Sequence, residues 1–180
     1  MAEPNPATWA AVVPDDTDFN TEIRDPLRWL LGHSSNPKPF LRTRGSAPTS
    51  LSNGGGSGAW TEIDLDTTDE NRGFVTALPA TIPVDGFYDV GAMIDVDVER
   101  SNKALRIRKN GTDTIAQDDR PGVGSPVPAR ITASTGNVPL VAGDVITIEG
   151  YNDAASGAID ALATGTWAPV LWIEYVATDN

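Results

Sequence analysis

Four carboxylates, Asp89, Asp95, Asp97 and Glu99, recur at odd-numbered positions of the run VDGFYDVGAMIDVDVE. On an extended chain, side chains two residues apart are separated by about 6.5–7 Å. Carboxyl groups about 6.5–9.5 Å apart are what an inverting glycosidase uses. The even-numbered positions argue for something plainer. Tyr88, Val90, Ala92, Ile94, Val96 and Val98 are all apolar, so the run reads as a strand with one face in a core and the other in water. No neighbouring residue marks a cleft or sets one carboxyl apart as an acid. On the next strand Arg106 and Arg108 share a face, and the expectation is that they answer these acids at roughly 0.2–1 kcal/mol per cross-strand pair.

A second acidic group, Glu62, Asp64, Asp66, Asp69 and Glu70, crowds the segment TEIDLDTTDE. Oxygen ligands at this density suit calcium. The spacing of a helix-loop-helix calcium site is missing, so a solvated loop is the better reading and calcium the only cofactor considered. The sole histidine, His33, lies beside Ser34 and Ser35 in a Pro- and Ser-rich stretch. A nucleophile needs a base held in place by a third group, and nothing here would hold it. No catalytic residue is assigned and the chain is not expected to be an enzyme. Trp60, Tyr151 and Trp167 are candidates for stacking on sugar rings, though core packing uses the same residues. The loops 118–128 and 152–166 are the surface turns where such a site would lie.

The elements that carry these residues are mostly strands. Trp60–Leu65, Gly73–Leu78, Phe87–Glu99, Ala104–Lys109, Asp113–Gln117, Arg130–Ser134, Asp144–Tyr151 and Val170–Val176 read as strands separated by turn residues. Asn110-Gly111 marks a tight hairpin. About eight short strands suit a sandwich or barrel. Residues 1–50 differ: they hold seven prolines and a short helical pattern through Phe19, Ile23, Leu27 and Leu30. An apolar stripe that short needs a partner surface. The expected division is an anchoring arm over 1–50, a Gly/Ser-rich linker over 51–59, and a β domain over 60–180.

The chain has 180 residues, a net charge of −12 and no cysteine. Its pI near 4.3 repels phosphate backbones, which argues against nucleic acid. Without cysteine there are no disulfides and no thiolate sites. There is no apolar run of about 18 residues to insert in a membrane, and the N-terminus lacks a secretion signal. Synthesis and assembly in a cytoplasm are expected.

Four segments resemble C1q/TNF-type globular domains. TIPVDGFYDVGAMIDV, LRIRKNGT, LVAGDVITIEGY and APVLWIEYV match strands of that family in order and spacing, over roughly Trp60 to Val176. The N-terminal WAAVVPDDTDFNTEIRDPLRWLLG is similar to the opening of minor tail and other virion appendage proteins of phages that infect actinobacteria. The matching residues are Trp9, Asn20, Ile23, Arg24, Asp25, Leu30 and Leu31; Pro26 departs from the pattern.

The first resemblance implies a ten-stranded jelly roll that forms a homotrimer. The last strand is apolar on both faces, and a strand apolar on both sides is covered on both sides. Leu171, Ile173 and Tyr175 are therefore assigned to the trimer interface, with cover by the N-terminal arm as the alternative. The second resemblance implies a structural virion protein, a tail-tip or fibre component. Trp9, Phe19, Ile23, Trp29, Leu30 and Leu31 would grip other virion proteins, and the distal domain would contact a host envelope glycan. Two rival readings are a capsid decoration or head-fibre protein, and a bacterial carbohydrate-binding module or adhesin.

Overall fold

Alternation of apolar and polar residues organises the second of two units into which the chain divides, Met1–Lys38 and Pro39–Asn180. The structure, a computed structural model, describes residues 38–97, 102–122, 128–153, 158–163 and 167–177. The proposed arm and its short helix, with Trp9, Phe19, Ile23, Trp29, Leu30 and Leu31, lie outside the described residues, as does His33.

Twelve strands occur among the described residues: β1 (Phe40–Arg44), β2 (Thr49–Leu51), β3 (Ala59–Glu62), β4 (Thr67–Arg72), β5 (Ala80–Thr81), β6 (Gly86–Val96), β7 (Lys103–Lys109), β8 (Asp113–Arg120), β9 (Ala129–Leu140), β10 (Val145–Asn152), β11 (Ile159–Ala161) and β12 (Val170–Ala177). They form two antiparallel sheets. The larger runs β2-β11-β6-β12-β1-β4, with β9 on the other side of β6; the smaller runs β3-β10-β7-β8, with β5 also on β10. The strand pattern led to a sandwich or barrel, and this is the jelly-roll sandwich that the resemblance implied.

β6 keeps its alternation. Tyr88, Val90, Ala92, Ile94 and Val96 are all buried, and they meet Leu105, Ile107, Ile146 and Ile148 of the facing sheet in one core. Each such side chain contributes about 1.5–3 kcal/mol of burial. The β7–β8 hairpin turns where Asn-Gly stands. Asn110 and Gly111 both take positive φ, which matches the strand twist. The Asn110 side chain also receives the Val145 N–H and donates to Asp144, fixing the start of β10 against the turn.

Three expectations are corrected. The Gly-rich stretch is not a linker between arm and domain, because β1 and β2 precede it and both belong to the larger sheet. Gly54–Gly56 forms one 3-10 turn, with the Asn53 side chain accepting from the Gly55 N–H. The sandwich thus starts at Pro39, and composition misled because glycine serves tight turns as readily as flexible tethers. Gly73–Leu78 is an irregular turn rather than a strand, and within it the Asn71 side chain brackets the buried Phe74 through both its N–H and its carbonyl. Arg106 and Arg108 do not face the acids of β6, since β6 and β7 lie in different sheets.

Candidate functional site

The outer face of the larger sheet holds half-buried apolar side chains, Phe40, Met93 and Trp172, with Val170 buried beside them. In β12, Leu171, Ile173 and Tyr175 turn inward and are at most 1 % exposed. Tyr175 meets Tyr88 edge-on inside the sandwich, ring centroids 5.2 Å apart. These three were assigned to the trimer interface, and that assignment is corrected: each is buried within its own chain. Alternation divides a strand into two faces but does not say which faces the core. The other set is Val170, Trp172, Glu174 and Val176, of which Val170 is buried, Trp172 and Val176 are half-buried and Glu174 is exposed.

Register aligns this set with outward residues of the flanking strands. Trp172 stands opposite Arg42 of β1 on one side and Gly91 of β6 on the other, and Val170 lies opposite Met93. The indole lies directly on Gly91: a Cβ there would come within 2.0 Å of the ring. Phe40, Arg42, Met93, Val170 and Trp172 surround a shallow depression of about 240 Å³. Phe40 is covered on one side by the Arg72 guanidinium, 4.7 Å from its ring centre, and Arg72 is in turn paired with Glu70 at 3.1 Å. Beyond the apolar centre, Glu174 and Asp89 stand directly opposite one another, a like-charge arrangement that disfavours the isolated sheet. The face carries a hydrophobic centre, Arg42 at 3.9 Å from Asp69, and the opposed carboxylates of Asp89 and Glu174.

At the rim, Asp95 is fully buried and holds the Arg130 guanidinium at two points, Nε at 3.0 Å and Nη2 at 2.9 Å. The carboxylate raises the Arg130 pKa further above its ordinary value by hydrogen bonding and charge. Arg130 also lies 5.8 Å from the ring centre of Trp167, which is 42 % exposed.

The acidic residues singled out for catalysis are dispersed. Asp95 is consumed by Arg130. Asp89 accepts the Asn137 N–H, and Asp97 that of Asp160; Glu99 lies outside the described residues. In the segment considered for calcium, Asp69 pairs with Arg44 at 2.8 Å. Asp66 accepts from the backbone and hydroxyl of Ser46 and from Thr67, and the Ser46 hydroxyl first among these holds its pKa below the usual carboxylate value. Among the described residues no group of three or more His, Cys, Asp or Glu is arranged to hold a metal ion.

Trp60 and Tyr151 come together on the outer face of the smaller sheet, ring centroids 5.2 Å apart. The Arg106 guanidinium stacks 3.9 Å above Trp60 and pairs with Glu149. A sugar would have to displace that arginine. Sequence reasoning missed Phe40, Arg42 and Met93 as surface residues. The signal was present only for Met93, which sits on the acid-bearing side of the β6 alternation.

Solved structures similar to this fold include Eiger TNF from S. frugiperda, at 13 % identity and a TM-score of 0.51 over 79 % of this chain and 97 % of that one. Murine APRIL matches at 14 % identity and a TM-score of 0.53, over 77 % and 99 %. The vertex protein P5 of phage PRD1 matches at 17 % identity and a TM-score of 0.50, over 78 % and 74 %. No family model matches the sequence, and no curated protein matches it. The likenesses establish the fold: a TNF/C1q-like jelly roll.

Proposed function

We propose that the chain is a structural component of a phage virion, a minor tail protein at the tail tip or in a fibre. Three copies join through the outer face of the larger sheet. The observation that carries this reading is the apolar centre formed by Phe40, Met93, Val170 and Trp172, placed on a regular sheet rather than in a cleft. Burying that centre removes its area from water at about 25 cal/mol per Å². A second copy's Arg42 would answer the opposed carboxylates of Asp89 and Glu174. Residues 1–38, with Trp9, Phe19, Ile23, Trp29, Leu30 and Leu31, anchor the assembly to other virion proteins. The jelly roll projects outward to contact the host envelope, where three equivalent sites would raise avidity by effective concentration.

The test is a truncation that stops at residue 38, since removing residues 39–51 would delete β1 and β2. The truncated protein is expected to keep the full chain's oligomeric state and to be missing from purified particles. Truncated protein found on particles at the normal copy number would overturn the anchoring role.

A second reading keeps the virion and changes the location to a capsid decoration or head fibre. The likeness to a phage vertex protein favours it. Antibody-gold labelling on heads rather than tails would decide for it.

A further inference from the structure

The dipeptide Asn-Gly occurs twice in the sequence, at Asn53-Gly54 and Asn110-Gly111. Asparagine before glycine is open to an intramolecular reaction, because a residue without a side chain leaves its amide nitrogen accessible and its backbone free to turn. The two sites are held differently. Asn110 is tied to the start of β10 at both ends of its side-chain amide: Nδ2 donates to Asp144 Oδ1 at 2.8 Å, and Oδ1 accepts the Val145 N–H at 2.9 Å. Its own N–H donates to the Val145 carbonyl at 2.8 Å. Asp144 is buried, and its other oxygen accepts the Val141 N–H. Around Asn53 the bonds are local. Its Oδ1 accepts the Gly55 N–H at 3.2 Å, the Gly54 N–H donates to Ser52 Oγ at 3.2 Å, and the Gly58 N–H donates to the Asn53 carbonyl at 3.0 Å. All these partners belong to the turn 52–58, which crosses from β2 in the larger sheet to β3 in the smaller one. Asn110 is exposed and Asn53 half-buried, so exposure alone would rank the two sites in the opposite order.

The reaction is ring closure. The Gly54 nitrogen attacks Asn53 Cγ, the new N–Cγ bond forms, the Cγ–Nδ2 bond breaks, and Nδ2 leaves as ammonia with the proton of the Gly54 amide. Water then opens the cyclic imide at either carbonyl, giving aspartate or isoaspartate at position 53. Attack requires the peptide plane after the asparagine to turn toward its side chain. At Asn53 this opens a surface turn of three successive glycines, whose bonds water can replace. At Asn110 the amide must leave a buried carboxylate and the Val145 N–H, and release the start of β10. We propose that Asn53 is a site of spontaneous conversion to aspartate and isoaspartate in the folded protein, and that the bonds to Asp144 and Val145 lock Asn110 against the same reaction.

This modification does not depend on the virion reading or on self-association. The full-length protein is held in mildly alkaline buffer, sampled over time and digested briefly with trypsin at mildly acidic pH, where ring closure is slow. Cleavage separates the two sites into the peptides 45–72 and 110–130. Fragmentation of each is expected to show a gain of one mass unit at position 53, with isoaspartate among the products. Conversion there is expected to run about tenfold or more ahead of position 110, since a hydrogen bond to a charged group is worth about 1.5–3 kcal/mol and about 1.4 kcal/mol is a factor of ten. In urea, with the clamp on Asn110 gone, the two rates are expected to converge. Three results would overturn the proposal: equal rates in the folded protein, a gap that persists in urea, or conversion at position 53 that appears only after unfolding.

Discussion

Trp172 lies flat on Gly91 across the β12–β6 pair, with no room between them for a Cβ. The glycine is there for close approach, since its φ is not in the left-handed region. It lets a large aromatic ring lie down on a sheet surface instead of standing into solvent. The flattened indole borders, with Met93, the shallow depression against which the proposed second copy would pack.

Gly91→Ala should therefore lift the indole from its seat. The fold should survive, because the clash is with the movable end of a side chain. The expected outcome is a red-shifted tryptophan emission and self-association at least tenfold weaker in sedimentation equilibrium. Unchanged association would mean that this face is not the contact.

The Asp95–Arg130 pair is asymmetric: the carboxylate is fully buried and the arginine side chain is about half exposed. Removing Arg130 strands a charge in the interior, whereas removing Asp95 leaves an arginine that can turn to water. Urea denaturation should show Arg130→Ala lowering stability more than Asp95→Ala does. The reverse order would contradict the placement of Asp95.

Tyr88 donates its hydroxyl to the Val84 carbonyl at 2.7 Å, and burial, ahead of every other influence, pushes its pKa above the ordinary value of 10.0. The folded phenol thus holds its proton when an unfolded one has lost it. The corresponding stability is fully present below pH 10 and is lost as pH rises beyond it, by up to about 1.4 kcal/mol per pH unit. The stability gap between the wild type and Tyr88→Phe should narrow from pH 9 to pH 11 in urea titrations. A gap constant over that range would show that Tyr88 ionises as freely in the folded state.

Much of the sandwich was legible in the sequence because its long strands alternate cleanly. β6 declared its inner face through five even-numbered apolar residues, Tyr88, Val90, Ala92, Ile94 and Val96, and Asn110-Gly111 announced its own hairpin. The short edges were not legible. β4, TTDENR, is wholly polar, since it is an end strand whose side chains are nearly all exposed. β1, FLRTR, sits in a proline-rich stretch whose composition suggested an arm. The proposed association face was half legible: β12 showed two apolar faces, but only the packed structure shows that Tyr175 is buried in the core and Trp172 lies on the other side. Trp172 pairs across strands with Gly91, and nothing in local sequence links residues that far apart.

The central claim is that copies of this chain meet through the face around Trp172. Light scattering of the purified full-length chain at micromolar concentration tests it most directly. The expected mass is three times the 19.0 kDa of one chain, falling toward the single-chain value for Trp172→Glu. A wild-type protein that stays at 19.0 kDa under these conditions would contradict the account.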